Sequence, residues 1–366
     1  MAVDEVYMRR ALELAEGGRG LVAPNPLVGA VVVRDGRIVG EGWHQGPGTS
    51  HAEIMALEAA GERTSGSTLY VTLEPCSHFG RTPPCAPRVI QAGVRRVVAA
   101  MRDPNPLVDG RGLRALREAG VAVDIGLLQG EAERLNDAFV KHVRTGIPLV
   151  VLKMASSLDG RVAARDGSSR WISGEEARTE VHRMRAAADA LLVGAGTALR
   201  DDPQLTVRDP SYDGPAKLRV LVDGRGLVPE THRLFDREAP TLVATTEGAP
   251  EARRDAWRAR GAELLVLEEG SSHVPLERLL AELGKRDVQL LLVEGGPTIA
   301  WEFVDRGFLD RLVLYFAPVL VGGRDAPGIV QGEGVRSIAD ALPLVIEEVT
   351  RVGRDLKVVA RVHGNR

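Results

Sequence analysis

The sequence predicts an α/β protein of two domains, and three observations support this fold class. The chain has 366 residues, which is more than a single hydrophobic core usually accommodates. Strand-like and helix-like runs alternate along both halves, the pattern of sheets covered by helices. Between the halves, Thr145-Gly146-Ile147-Pro148 joins residues that end helices to residues that favour extended chain. We therefore predict one domain over residues 1–146 and a second over residues 147–366.

The first domain is predicted to be an α/β/α sandwich, because helical runs separate its strands. Its first two strands are joined through Asp35-Gly36, a dipeptide typical of hairpin turns. The predicted elements in chain order are a helix near Val3–Glu16, strands Val28–Arg34 and Ile38–Gly42, helix Ala52–Ala60, strand Thr68–Leu73, a helix near Pro87–Ala92, strand Val94–Ala100, helix Gly112–Ala119, strand Val121–Ile125 and helix Glu131–Arg144.

The second domain repeats the alternation and is also predicted to be α/β. It opens on the apolar run Leu149–Met154, which is typical of a buried strand. The further predicted strands, with helical stretches between them, are Ala190–Val193, Arg219–Val222, Leu242–Ala244, Leu264–Leu267, Gln289–Val293, Leu312–Phe316 and Leu356–Val362.

Charge and composition favour a small-molecule partner over nucleic acid. The 47 basic and 50 acidic residues give a net charge of −3, so no overall positive field exists to hold a phosphate backbone. The 14 aromatic residues are spread along the chain, whereas stacking platforms for bases need several close together.

We expect a cytoplasmic protein without a membrane segment. The chain opens on an acidic, amphipathic stretch instead of the basic and then apolar pattern of a secretion signal. No run approaches the roughly 18 uninterrupted apolar residues of a membrane span. Two cysteines are too few for a disulfide framework, so metal binding or catalysis is their expected use.

The spacing of one histidine and both cysteines predicts a catalytic zinc site. His51-Ala52-Glu53 lies where a glycine-rich loop turns into a helix, Cys76 follows a strand, and Cys85 comes nine residues later. A catalytic zinc takes three protein ligands and keeps a fourth position for water, so His51, Cys76 and Cys85 are the predicted ligands. His-x-Glu followed by Pro-Cys and a second cysteine is the pattern of nucleobase deaminases, although eight residues separate the cysteines here instead of two. Glu53 is therefore the predicted proton shuttle between the attacking water and the departing ammonia. Two alternatives stay open: a structural zinc site closed by His78, and cysteines that are simply buried apolar side chains.

The segment Pro75-Cys76-Ser77-His78-Phe79-Gly80-Arg81-Thr82-Pro83-Pro84-Cys85 resembles the deaminase half of the bifunctional riboflavin-biosynthesis deaminase/reductase family. Residues 23–31 and Gly42-Trp43-His44 resemble the same family. The resemblance implies a cytidine-deaminase-like fold for the first domain. It also implies that Asn25, His44 and His78 contact the substrate.

The second domain resembles the reductase half of that family, whose fold is similar to dihydrofolate reductase. The resemblance lies in residues 153–161 and in Gly167-Ser168-Ser169-Arg170-Trp171-Ile172-Ser173, and it implies hydride transfer from NADPH. Glycine-containing strand exits at Gly194-Ala195-Gly196 and Gly295-Gly296 could let a dinucleotide approach the backbone. Neither completes a Gly-x-Gly-x-x-Gly fingerprint, and as plain turns they would be unremarkable.

The resemblance also implies which residues of the second domain form the site. We expect Lys153 and Glu294 to position the ribose or deliver a proton, and an arginine pair suits a phosphate. The implied NADPH contacts are Ala155, Trp171, Thr197, Asp201, Gly296, Pro297, Thr298, Ile299, Ala300, Trp301 and Glu302. The implied substrate contacts are Lys153, Ser169, Arg185, Leu205, Arg208 and Glu294.

Together these features predict a zinc-dependent deaminase and an NADPH-dependent reductase in one chain. The substrate would be a phosphorylated ribosylaminopyrimidine that first loses its exocyclic 2-amino group by hydrolysis and then has its ribosyl chain reduced to ribityl. We expect a homo-oligomer that binds neither nucleic acid nor membrane. The alternatives are a nucleic-acid base deaminase with an accessory domain and a non-catalytic zinc module that binds nucleotides.

Overall fold

A computed structural model describes residues 3–77, 79, 82–106, 108–170, 172–267 and 273–363 of the chain. The chain divides into two compact units, residues 1–147 and residues 148–366, called here the N-terminal and C-terminal units. The boundary predicted after residue 146 lies next to this division. Among the residues that the structure describes, no helix combines the length and apolar character needed to cross a membrane.

The N-terminal unit contains a mixed sheet with helices on both faces. Its described helices are α1 (Val3–Ala15), α2 (Ala52–Ala60), α3 (Cys85–Gln91), α4 (Arg111–Glu118), α5 (Gln129–Leu135) and α6 (Asp137–Thr145). Its described strands are β1 (Gly29–Arg34), β2 (Arg37–Trp43), β3 (Thr68–Val71), β4 (Arg96–Ala99) and β5 (Ala122–Ile125). They lie in the order β2-β1-β3-β4-β5, with β1 antiparallel to both neighbours and β3, β4 and β5 parallel.

Alternation along the central strands builds the two cores of this sandwich. On β1, Ala30 and Val32 pack with residues of α2, α3 and α4, whereas Val31 and Val33 pack with residues of α1 and α5. Successive side chains of a strand point to opposite faces, so an unbroken apolar strand can serve both cores. The β1–β2 turn is at Asp35-Gly36, the predicted position. Both residues have positive φ, which a two-residue hairpin turn of the type favoured by Asp-Gly requires.

One predicted helix of this unit was wrong. The predicted helix Glu131–Arg144 is two helices, α5 and α6, because the chain breaks at Asn136. The Asn136 side chain is buried and makes two hydrogen bonds to the backbone of Leu27, at 2.8 and 2.9 Å. This long-range pairing explains a break that the helical periodicity did not indicate.

The C-terminal unit is built on one sheet, whose nine described strands lie in the order β10-β9-β8-β7-β11-β6-β12-β14-β13. Its strands are β6 (Leu149–Ser157), β7 (Ala190–Gly194), β8 (Leu218–Val222), β9 (Thr241–Thr245), β10 (Glu263–Val266), β11 (Leu290–Val293), β12 (Arg311–Ala317), β13 (Leu344–Val352) and β14 (Asp355–Val362). Its described helices are α7 (Glu175–Ala187), α8 (Ala195–Asp201), α9 (Glu251–Ala259), α10 (Leu276–Lys285) and α11 (Pro297–Asp305). The pairings from β10 to β12 are parallel, and β14 and β13 are added antiparallel.

Strand β13 was missed in the sequence. It is an edge strand on which all nine residues are exposed or half-buried, so it lacks the apolar run by which its neighbours were recognised. The predicted central strands, in contrast, are buried, because helices cover parallel sheets on both faces. Their carboxyl ends define the edge of the sheet at which open α/β folds bind ligands.

Candidate active sites

The predicted zinc ligands lie at the starts of two helices and just after a strand. His51 is the residue before α2 and has extended backbone, Cys85 is the first residue of α3, and Cys76 follows β3 in the chain. The backbone N–H of Cys85 donates to Sγ of Cys76 at 3.3 Å. Helix N-termini favour negative charge, so this location suits thiolates.

The three side chains form one cluster, the His/Cys/Cys cluster (His51, Cys76 and Cys85), whose ligand atoms lie within 4.8 Å of one another. Nδ1 of His51 is 3.1 Å from Sγ of Cys85 and 3.5 Å from Sγ of Cys76. Tetrahedral zinc with ordinary bond lengths holds N and S ligand atoms about 3.6 Å apart. The donor set and its spacing therefore fit a zinc ion.

Glu53 faces the same cavity as His51, although it comes only two positions later. Two positions on one helix would point about 200° apart, but His51 is outside α2 and the helical angle does not apply to it. Burial raises the pKa of Glu53 to about 7, and the charge of Cys76 acts in the same direction. The carboxyl group is thus suited to both take up and release a proton.

Within the cluster, a hydrogen bond between the two sulfur atoms shifts the pKa values of the two cysteines in opposite directions. A hydrogen bond from Cys85 lowers the pKa of Cys76 to about 4, and the contact with His51 acts in the same direction. The hydrogen bond to Cys76, together with burial, raises the pKa of Cys85.

Asn25 and His44 face the same cavity and contact each other. Nδ2 of Asn25 is 2.8 Å from Nε2 of His44, and Nδ1 of His44 is 3.3 Å from the carbonyl of Ser50. An amide nitrogen only donates, so Nε2 accepts and the ring proton is on Nδ1. Burial lowers the pKa of His44, which favours this neutral form. His78, the third predicted substrate contact, lies outside the described residues.

The cavity of about 270 Å³ also includes residues that the sequence did not indicate, among them Thr82, Asp103 and Asn105. Burial raises the pKa of Asp103 to about 6. Asp103 and Asn105 follow β4 at its carboxyl end, so the general location of ligand sites in such sheets could have indicated them. Thr82 belongs to the segment between the cysteines, where it is close to His51.

Glu74 holds part of the cavity wall in place. Its buried carboxylate accepts four backbone N–H groups: those of Asp103 and Gly110 on one oxygen, at 3.3 and 2.9 Å, and those of Gly112 and Leu113 on the other, at 3.0 and 3.3 Å. These bonds fix the loop after β4 to the start of α4. The loop carries Asp103 and Asn105.

In the C-terminal unit, an ion pair joins two of the predicted substrate contacts. Arg185 on α7 donates to the two carboxylate oxygens of Glu294, at 2.5 and 3.1 Å, and to the carbonyl of Thr206 at 3.1 Å. The side chains are 12% and 8% exposed. Burial alone would raise the pKa of Glu294, but the charge and hydrogen bonds of Arg185 bring it below its ordinary range.

Lys153 on β6 is part of the same group of charges. Burial lowers the pKa of Lys153. The negative charge of Glu294 raises this pKa, whereas the positive charge of Arg185 lowers it further. Arg208 interacts with the same charges. Burial lowers its pKa, and the positive charge of Arg185 acts in the same direction. Its backbone N–H donates to Nδ1 of His182 at 3.1 Å. The structure thus brings Lys153, Arg185, Arg208 and Glu294 together.

The remaining predicted substrate contacts are Leu205 and Ser169. Leu205 is buried and has a positive φ of 50°. Ser169 is half-buried, and its carbonyl accepts the N–H of Ile172. Trp171, a predicted NADPH contact, lies outside the described residues.

The two glycine-containing strand exits lie side by side, since β7 and β11 are neighbours. A Cβ added at Gly296 would lie 3.1 Å from Oγ1 of Thr197, and one at Gly194 would lie 3.5 Å from Cβ of Ile299. The start of α8, with Thr197, is therefore close to the start of α11, which contains the predicted run 297–302. Close backbone approach and N–H groups at helix starts fit the diphosphate of a dinucleotide.

The last predicted cofactor residues lie on neighbouring elements. Ala155 is half-buried on β6, two residues from Lys153. Asp201 ends α8, and its carbonyl accepts a hydrogen bond of 2.7 Å from Arg170. Trp301 packs so closely on Gly332 that a Cβ there would lie 2.0 Å from the indole.

Comparison with known proteins identifies the family. The family model described as the cytidine and deoxycytidylate deaminase zinc-binding region matches residues 1–101, and the RibD C-terminal domain model matches residues 148–358. The riboflavin biosynthesis protein RibD of Bacillus amyloliquefaciens is 44% identical over 98% of this chain and 96% of that protein. The chain belongs to the RibD family. The RibD protein of Escherichia coli K12 is also 44% identical, over 96% of this chain and 98% of that protein.

Solved structures of RibD proteins have the same fold. The Acinetobacter baumannii RibD structure, form 1, superposes with a TM-score of 0.89 at 38% identity, covering 98% of this chain and 99% of that one. A Thermotoga maritima deaminase/reductase gives a TM-score of 0.87 at 37% identity with the same coverage. The predicted pairing of a cytidine-deaminase-like domain with an α/β reductase domain is confirmed.

Membership of the RibD family also confirms the predicted activities. The chain is a bifunctional enzyme of riboflavin biosynthesis, with hydrolase activity as a deaminase and oxidoreductase activity as a reductase. Its cofactors are zinc for deamination and NADPH for reduction. The alternative of a nucleic-acid base deaminase is not favoured, since the RibD relatives match both halves of the chain.

Proposed function

We propose that the two sites described above perform the two steps in order, deamination in the N-terminal unit and reduction in the C-terminal unit. The substrate of the first step is a diaminopyrimidine ribosyl phosphate that loses its exocyclic 2-amino group, and the product is reduced at its ribosyl chain. The main support is one cavity that contains the His/Cys/Cys cluster together with Glu53.

For deamination, we assign His51, Cys76 and Cys85 as the zinc ligands and Glu53 as the proton carrier. Bound zinc would lower the pKa of a coordinated water and so supply a nucleophile near neutral pH. Glu53 takes a proton at its carboxylate as the water attacks and returns it to the departing amino group. Because the N–H₂ group of Asn25 faces His44, its amide oxygen is available to accept a hydrogen bond from the substrate.

For reduction, we assign Lys153, Arg185, Arg208 and Glu294 to the substrate. Three basic side chains interact with one carboxylate, so this group contains basic residues that suit the substrate's phosphate. NADPH supplies the hydride, and the adjoining starts of α8 and α11 would hold its diphosphate. Lys153 and Glu294 then position the ribose or deliver the proton that accompanies reduction.

We also propose that the protein is a cytoplasmic homo-oligomer. The edge strand β13 exposes Ile346 and Val349, at 64% and 54%. An edge strand with exposed apolar side chains invites pairing with a second copy of the chain. Both cysteines are free and close to one another at a metal site, which suits a reducing compartment. Light scattering in solution tests the oligomer, and a monomer would refute it.

Supplying the aminopyrimidine phosphate and NADPH together tests the assignment of both reactions. Ammonia release and the fall in NADPH absorbance are followed separately. We expect both signals, each in a one-to-one ratio with the substrate consumed. Ammonia without NADPH oxidation, after the first step is complete, would contradict the proposed second step.

A further inference from the structure

The ring of His51 has a partner on the side away from the cysteines. Nδ1 faces the two sulfur atoms, whereas Nε2 is 3.0 Å from Oγ1 of Thr82. A neutral imidazole has one nitrogen that donates and one that accepts. If Nδ1 uses its lone pair to bind a metal, the proton must be on Nε2, and the hydroxyl of Thr82 then accepts it.

We propose that Thr82 is a positioning residue for the zinc site. Its hydroxyl accepts the Nε2–H of His51 and so fixes the ring in the tautomer and orientation in which Nδ1 faces the metal. Such outer partners of metal-binding histidines set ligand orientation and raise ligand basicity. The inference rests on the proposed role of His51 as a zinc ligand.

Among the residues that the structure describes, His44 and Glu53 also lie near His51, but their polar groups contact other partners. The ring of His44 lies edge-on, with centroids 5.4 Å apart, and its two nitrogens are engaged with Asn25 and Ser50. Glu53 contacts the cysteine side of the cluster, where it meets Cys85. Within the described part of the chain, Oγ1 of Thr82 lies within hydrogen-bond distance of Nε2.

The length of the segment between the cysteines explains how this hydroxyl reaches the ring. Nucleobase deaminases commonly have Cys-x-x-Cys, with two residues between the cysteines. Here eight residues intervene, and Thr82 is three positions before Cys85. The longer segment therefore includes a residue, Thr82, whose hydroxyl lies 3.0 Å from Nε2 of His51.

Two prolines keep the hydroxyl in that place. Pro83 and Pro84 connect Thr82 to Cys85 at the start of α3. Each proline fixes its own φ, and each disfavours the helical region for the residue before it. The position of Thr82 is thereby tied to that of the ligand Cys85. Because the prolines already restrict this part of the unfolded chain, ordering it on folding costs little conformational entropy.

The test compares Thr82→Val, which keeps the shape and removes the acceptor, with Thr82→Ser, which keeps the hydroxyl. Thr179→Val is the matched control, because Thr179 is exposed on α7 and bonds only the carbonyl of Glu175. Zinc affinity is measured by competition with a chromophoric chelator, using the full-length chain near neutral pH. We expect about 10- to 100-fold weaker zinc binding for Thr82→Val, and near-native binding for Thr82→Ser and Thr179→Val.

Imidazole nitrogen NMR gives a readout independent of activity. The zinc-loaded wild type and Thr82→Ser should show a proton on Nε2 of His51 that exchanges slowly with water, and Thr82→Val should show faster exchange. Native zinc affinity in Thr82→Val would overturn the inference, as would equal losses in the valine and serine variants. If the valine variant unfolds, the serine variant and the NMR signal of the wild type still decide. A wild type without zinc would instead refute the proposed function.

Discussion

Replacing Arg185 by lysine tests whether the buried ion pair holds the reductase site together. The guanidinium makes two hydrogen bonds to Glu294 and one to Thr206. Lysine keeps the positive charge, but its compact ammonium has no planar fork and ends a shorter side chain. We expect it to retain one of the three bonds.

The magnitude follows from the two bonds that are lost. Hydrogen bonds to charged groups contribute about 1.5–3 kcal/mol each, and the lower end applies because the charge is conserved. The free energy of unfolding of the C-terminal unit should fall by about 3 kcal/mol. Complete removal of one partner of a buried pair would cost about 3–5 kcal/mol. Because Glu294 and Lys153 lose a fixed neighbour, kcat/KM for reduction should fall at least about tenfold.

The assay uses urea unfolding followed by tryptophan fluorescence, together with NADPH oxidation and ammonia release. Three of the four tryptophans belong to the C-terminal unit, and Trp257 is fully buried. Arg183→Lys is the control on the same helix, because Arg183 is 69% exposed and 3.9 Å from its nearest carboxylate oxygen. It should change stability by less than about 0.5 kcal/mol. Equal stability and equal reductase activity in both variants would refute this account of the ion pair, whereas deamination should be unaffected in either.

Three further predictions concern the metal, the cofactor and the cavity wall. Elemental analysis should find about one zinc per chain in the wild type and none in Cys85→Ser, since one of three ligands is lost; full occupancy in the variant would remove Cys85 from the ligand set. At equal concentrations NADPH should support reduction better than NADH, because polar or basic groups are expected to recognise its 2′-phosphate. Equal efficiency of the two cofactors would show that the cofactor site is misassigned. Glu74→Gln should lower the unfolding free energy of the N-terminal unit by about 2 kcal/mol or more, and it should raise KM for deamination. The reason is that the amide N–H₂ group would face two backbone N–H groups whose hydrogen bonds the carboxylate accepts in the wild type. The exposed Glu118→Gln is its control, and equal stability of the two variants would count against this role of Glu74.

The zinc cluster could be predicted because its information is local. His51 and Glu53 are two residues apart, and the cysteines flank one short segment, so residue type and spacing indicated the ligands. Residues that bind backbone groups far away in the sequence have no such local pattern. Glu74 binds N–H groups up to Leu113, and no pattern around position 74 indicates that loop.

The same distinction applies to the fold. Buried parallel strands were recognised by their apolar runs, whereas the exposed edge strand β13 was not. The break at Asn136 depends on a pairing with Leu27, 109 positions away, and helical periodicity does not report such a contact. The ion pair between Arg185 and Glu294 is equally non-local, and family resemblance indicated both residues without indicating that they bind each other.

The central claim, that each unit performs its own reaction, is tested most directly by measuring both reactions in two variants. Glu53→Ala should abolish ammonia release, because the attacking water loses its proton acceptor and the leaving group its donor. Supplied with the deaminated ribosyl intermediate, that variant should still oxidise NADPH at the wild-type rate. Lys153→Ala should give the reverse, with normal ammonia release and reduced NADPH oxidation. Loss of both reactions in Glu53→Ala, in protein that remains folded and zinc-loaded, would contradict the account.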